Sequence, residues 1–144
     1  MTLKSVRTTT LTTASLMAAA ETIPEGVPFF MLNMLRYKAQ ADYGDRPGLA
    51  PCSGCEAYHR GYVATFARMA EGVAIEIVWL GSVVAGLVAP PDERWDEIVL
   101  VKYPSFAAFR AIVESSRYET EAAPHRLASL DDWRLIAAVK LDLH

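Results

Sequence analysis

The period of the apolar positions changes several times along the chain, and each change predicts an element. Residues 27–37 (VPFFMLNMLRY) are almost continuously apolar between a proline side and a polar loop. That pattern predicts a central strand buried on both faces, broken by Asn33 on one and Arg36 on the other. After a loop over residues 38–53, Ala57, Tyr58, Tyr62, Val63, Phe66, Met69 and Ala70 recur at helical steps, which predicts an amphipathic helix from Glu56 to Glu71, ended by Gly72. Residues 74–80 and 82–89 are rich in β-branched side chains and split by Gly81, and read as one long strand with a kink or bulge. Pro90-Pro91-Asp92-Glu93 reads as a turn and Trp95 to Tyr103 as the returning strand of a hairpin. Ser105 is a good N-cap for a second helix, with Phe106, Phe109, Ile112 and Val113 as its buried stripe and Arg110 and Glu114 as an exposed i,i+4 pair. Pro124 interrupts the segment beyond that helix, and Trp133 to Val139 reads as a last strand.

The order strand, helix, strand, strand, helix, strand is that of an α+β, ferredoxin-like βαββαβ fold: four antiparallel strands with both helices on one face. Residues 24–144 are expected to form this single domain, preceded by an extension over residues 1–23. Lys4 and Arg7 before Leu11 to Ala20 loosely mimic a signal peptide, but Thr12, Thr13 and Ser15 interrupt the apolar run. A short helix over about Thr13 to Thr22, capped by Thr12 or Thr13 and packed outside the main core, is the better reading. Two helices cover only one face of the sheet, yet the strands carry apolar side chains on both. An uncovered face of that kind predicts a homodimer packed through the sheet faces about a two-fold axis.

Composition narrows the class. The 144 residues are 52% hydrophobic, enough for one core, and 14 basic against 17 acidic side chains leave a net charge of −3. A mildly acidic chain without a basic cluster is not expected to bind nucleic acid. No run reaches the ~18–20 apolar residues of a membrane span, so no membrane partner is expected and a cytoplasmic location is. Cys52 and Cys55 are the only cysteines, which fits a reducing compartment. Their C-x-x-C spacing lacks the preceding strand of a thioredoxin-like pair. His59 falls four residues after Cys55 and shares its helical face, but three ligands do not close a structural zinc site. No metal and no cofactor are therefore expected.

Residues 30–37 (FMLNMLRY), Ala57-Tyr58, residues 95–105 (WDEIVLVKYPS), and Ser115-Ser116-Arg117-Tyr118 through Arg126-Leu127 resemble a bacterial family called domain of unknown function 1330. That family belongs to the dimeric α+β-barrel superfamily. The resemblance spans about residues 24–138; its most specific part is Trp-Asp followed by a strand ending Tyr-Pro-Ser, and residues 1–22 and the cysteine pair lie outside it. It implies the same topology and a dimer. It implies little about activity, because the superfamily holds cofactor-free monooxygenases, lactone isomerases, haem-degrading enzymes and members with no assigned activity, with different catalytic residues.

Relatives of this kind use a cavity between the sheet and its own helices. Arg36, a guanidinium on an apolar strand, is a candidate for a carboxylate or enolate, against a buried bridge to Asp or Glu. Asn33 would fix a substrate carbonyl or satisfy local backbone. His59 is a candidate proton carrier, against a solvated surface position, and His125 has a comparable claim with less structural context; His144, in the tail, is set aside. Tyr103, Tyr118 and Arg126 are candidate ligand contacts near the cavity or its mouth. Ser105 has a sufficient role as a helix cap, and no G-x-S-x-G elbow supports it as a nucleophile. The function expected is binding of a small apolar, anionic or carbonyl-bearing molecule. Cofactor-independent proton transfer, isomerisation or oxygenation would follow from it; the alternative is a binding or structural module without turnover.

Overall fold

The computed structural model describes residues 6–46 and 50–143; His144 and the start of the extension lie outside them. The elements are α1 (Thr13–Thr22), β1 (Phe29–Tyr37), a helix α2 in three consecutive stretches (Gly54–Glu56, a π-helical Ala57–Val63, and Ala64–Met69), β2 (Glu76–Ser82), β3 (Glu97–Tyr103), α3 (Phe106–Val113), α4 (a π-helical Tyr118–Ala122 running into Ala123–Ser129) and β4 (Leu130–Ala138). The sheet is antiparallel in the order β2-β3-β1-β4, the ferredoxin-like arrangement expected from the order of elements.

Local chemistry accounts for the boundaries. Thr12 caps α1 by accepting from the Ser15 amide, and Ser105 caps α3 by accepting from the Ala108 amide. Ser53 and Glu56 form a reciprocal capping box that starts α2 at Gly54, two residues before the predicted start. Gly54 is required there for another reason. A Cβ would collide with the backbone of Lys38 and sit 2.6 Å from the Ser129 carbonyl oxygen, so only a bare backbone lets α2 pass the start of β4. Pro124 lies in the first turn of the last helical stretch, where its missing N–H costs nothing; it starts a regular turn rather than breaking one.

Three expectations are corrected. The long strand over residues 74–89 stops at Ser82, and its bulge lies between Ile77 and Trp79, not at Gly81. Gly81 instead admits the Trp79 indole, which folds over it. Beyond Ser82 a single further bond, from the Val83 amide to the Asp96 carbonyl (2.9 Å), continues the pairing, and Val84, Leu87 and Val88 are left exposed. β1 is buried on one face only: Phe29, Met31, Asn33, Leu35 and Tyr37 are covered by the helices, and the alternating residues are half-buried. The extension is not outside the core, since Leu16 joins the main apolar cluster and Thr8 is pinned to β4 by its amide to Asp132 (3.0 Å) and its carbonyl to the Trp133 amide (2.9 Å).

Candidate functional site

Strand alternation decides which polar residues can meet. Asn33 and Tyr37 share the helix-covered face of β1, and the register pairs Asn33 with Val99 and Leu35 with Glu97. Arg36 lies on the opposite face. Between the covered face and α2, α3 and α4 lies a cavity of about 330 Å³. Its wall is mostly apolar, with Phe66, Val101, Phe109 and Leu135 among the lining side chains, and it is interrupted by Asn33, His59, Tyr62, Tyr103 and Tyr118. Ile77 and Leu80 also line it while more than half exposed, so the cavity opens along β2.

The π-helical stretches carry most of its polar residues, Asn33 and Tyr103 coming from β1 and β3. Tyr58, His59 and Tyr62 stand on the first and Tyr118 on the second. Such widened turns re-aim side chains that a regular helix would space differently. The Tyr58 and Tyr62 rings stack at 5.2 Å, and the Tyr62 and Tyr118 hydroxyls lie 2.8 Å apart. Arg126 Nη1 donates to the Tyr118 hydroxyl at 2.6 Å. Its guanidinium stacks over the Tyr118 and Trp133 rings, 5.8 and 5.3 Å from their centroids. Arg126 is 5% exposed, its Nε has no partner, and among the described residues no carboxylate pairs with it. A buried cation without a counterion thus stands behind the wall formed by Tyr118 and Trp133.

Hydrogen counting gives the chemistry of this corner. Arg126 only donates, and the contact between the two hydroxyls uses one of their two hydrogens whichever way it points. One phenolic hydrogen therefore has no protein acceptor among the described residues. Burial raises the pKa of Tyr62 well above its ordinary value, and also raises Tyr58 and Tyr103, with Tyr118 adding in each case. These three stay protonated, as hydrogen-bond donors.

A second group involves His59, whose Nε2 lies 3.0 Å from both Glu97 carboxylate oxygens and 3.3 Å from the Tyr37 hydroxyl. Tyr37 donates to Glu97 at 2.6 Å; burial first, and then this bond, push its pKa up. Cys55, one turn before His59, completes a cluster in which single donor atoms of Cys55, His59 and Glu97 all lie within 4.8 Å of one another. Burial, followed by the charges of Glu97, Asp96 and Glu56, holds the Cys55 thiol above its ordinary pKa, so Cys55 is not an activated nucleophile. Cys52 and Cys55 are both free thiols.

The other sequence candidates are elsewhere. Arg36 Nε lies 3.0 Å from Asp131, which also pairs with Arg7, in a polar cleft with Trp95 and Arg134; it cannot reach a ligand in the cavity. His125 does not line the cavity. Its ring packs on Gly61, its Nδ1 meets the Tyr43 hydroxyl at 2.7 Å, and its pKa is lowered by burial and then by Arg46 and Arg68. Asn33 lines the cavity, but its Oδ1 accepts from Trp133 Nε1 at 3.2 Å and its amide nitrogen faces the Met31 and Val99 carbonyls. Its groups are committed to the protein. Tyr103 and Tyr118 line the cavity, and Arg126 contacts Tyr118 from behind it. Sequence reasoning missed Tyr37, Tyr62 and Glu97. Tyr62 reads as one more member of an apolar stripe, and Glu97 as a polar residue at the start of the returning strand; the register of β1 with β3 brings it to the end of β1.

No family model matches the chain, and no curated protein matches it. Solved structures do. The methylated RPA0582 protein is 32% identical over 94% of this chain and 96% of its own, with a TM-score of 0.81. RPA0582 of Rhodopseudomonas palustris, described as a protein of unknown function, is 31% identical over 96% and 100%, with a TM-score of 0.82. Among the described residues no helix is long and apolar enough to cross a membrane.

Proposed function

Because the chain belongs to the family of the Rhodopseudomonas palustris protein RPA0582, whose function is unknown, we propose a function from its own cavity: it binds a small, largely apolar molecule bearing a carboxylate or carbonyl oxygen and transfers a proton on it. The observation that carries this reading is the spare phenolic hydrogen of the Tyr62–Tyr118 pair, backed by the uncompensated charge of Arg126. An oxygen acceptor placed there satisfies the hydrogen and offsets the buried cation, and negative charge developing on it is stabilised by donors already in position. The role expected of Arg36 and Asn33 thus passes to Tyr62, Tyr118 and Arg126.

His59 is the proton carrier. It lines the cavity, and Glu97 holds its Nε2 and supports the imidazolium that forms when a proton is taken up. No step of this proton transfer calls on a cofactor. The reading is tested by incubating apolar ketones and lactones with the protein in deuterated water and following deuterium entry beside the carbonyl by NMR. Exchange above background that His59→Ala abolishes supports it. Saturable binding with no exchange would make the protein a binding module.

The βαββαβ topology is the one that the sequence likeness to domain of unknown function 1330 and its dimeric α+β barrels implies. A homodimer fits the outer sheet face, where Leu32 pairs in register with Leu100 and Ile136, beside exposed Trp79. A second copy on that face would cover the apolar surface left by one layer of helices.

A further inference from the structure

We propose that Cys55, His59 and Glu97 form a binding site for one thiophilic divalent ion of the zinc class, next to the cavity. The three residues come from two elements that the fold forces together. Cys55 and His59 are one helical turn apart at the start of α2, and Glu97 is the first residue of β3. Their donor atoms already lie within 4.8 Å of one another. Tetrahedral zinc with its usual bond lengths separates sulfur, nitrogen and oxygen donors by about 3.3–3.6 Å, so side-chain movements of about 1 Å close the site. All three are only partly buried, which leaves room for the water of an open fourth position, the pattern of catalytic rather than structural zinc.

Donor chemistry selects the ion. One thiolate and one imidazole favour zinc or cobalt over magnesium or calcium, which take oxygen ligands. Tyr37, donating to Glu97 at 2.6 Å, supplies the outer hydrogen bond that orients a ligating carboxylate. Glu56 and Asp96 add negative charge around Cys55. Spacing along the helix brings together only Cys55 and His59; the third ligand, Glu97, is contributed from across the fold. A bound ion replaces the His59–Glu97 contact that supports the imidazolium, so the metal-loaded and metal-free forms carry different chemistry at this position. The site does not depend on what occupies the cavity.

The test is titration of chelator-treated, reduced full-length protein with Co²⁺, read by absorption, and with Zn²⁺, read by calorimetry. One equivalent is expected, with a thiolate-to-cobalt charge-transfer band in the near ultraviolet. Cys55→Ser should abolish that band, whereas Cys52→Ser keeps it. Glu97→Gln should weaken Zn²⁺ binding at least about tenfold, the loss that follows removal of even an outer partner of a metal ligand. Absence of saturable binding overturns the proposal, as does a band that survives Cys55→Ser or disappears in Cys52→Ser. Deuterium exchange by metal-free protein is a separate readout, so failure here is distinguishable from failure of the proton-transfer reading.

Discussion

In Tyr118→Phe the lost oxygen is the one that accepts from Arg126 Nη1 at 2.6 Å and meets the Tyr62 hydroxyl at 2.8 Å. The guanidinium, already without a partner at Nε, loses its side-chain acceptor in a buried site. A hydrogen bond to a charged group contributes about 1.5–3 kcal/mol and a neutral one about 0.5–1.5 kcal/mol. Together they put the cost of Tyr118→Phe at about 2–4.5 kcal/mol. Tyr62→Phe removes an oxygen from the same contact but leaves Arg126 paired, and should cost only about 0.5–1.5 kcal/mol. Adding Arg126→Met to Tyr118→Phe removes the stranded charge and fills its space with an apolar chain. The double variant should therefore be at least about 1 kcal/mol more stable than Tyr118→Phe alone. Urea unfolding at one protein concentration gives the stabilities of the parent and the three variants. A loss in Tyr62→Phe equal to that in Tyr118→Phe, or no recovery in the double variant, would refute the account of Arg126 as an uncompensated cation held by Tyr118.

Other expectations rest on single contacts. Gly54→Ala forces a Cβ into the backbones of Lys38 and Ser129 and should lower stability by about 2–4 kcal/mol in the same urea assay; a change within about 0.5 kcal/mol would mean that α2 does not pass β4 this closely. The lowered pKa of His125 means that the unfolded chain takes up its proton first as the pH falls. Stability should therefore be constant in this respect above about pH 6.5 and decline below it until the folded-state pKa is passed. His125→Gln should flatten that part of the pH profile of unfolding. If the outer sheet face pairs two copies, sedimentation gives twice the 15.8 kDa of one chain and Ile136→Glu, at a half-exposed position on that face, gives a monomer with its fold intact.

Periodicity disclosed the elements because burial on one face leaves a mark at every second or third residue. Continuous apolar stretches disclosed less. Val84, Leu87 and Val88 resemble strand residues, but a strand needs a partner ladder, and the pairing ends with the bond from the Val83 amide to the Asp96 carbonyl. Leu11 and Leu16 look peripheral in the sequence because their contacts are with residues far along the chain. The site was legible where polar side chains stand alone, as with Arg126, Tyr118 and His59. It was not legible where the partner comes from another element at a distance set by register, as with Glu97, or where a π-helical turn re-aims a tyrosine, as with Tyr62. Arg36 is the most conspicuous charge on β1, and alternation of the strand places it on the other side of the sheet from the cavity.

The central claim is that the cavity selects a ligand by an oxygen acceptor set against Tyr62, Tyr118 and the charge of Arg126. Calorimetric titration with three ligands of one skeleton, 4-phenylbutyrate, 4-phenylbutanol and 4-phenylbutylamine, tests it most directly. The carboxylate is expected to bind tightest and the ammonium weakest, with at least about tenfold, or about 1.4 kcal/mol, between carboxylate and alcohol. That preference should disappear when Tyr62→Phe, Tyr118→Phe and Arg126→Met are combined. Equal affinity for all three, or tighter binding of the ammonium, would contradict it.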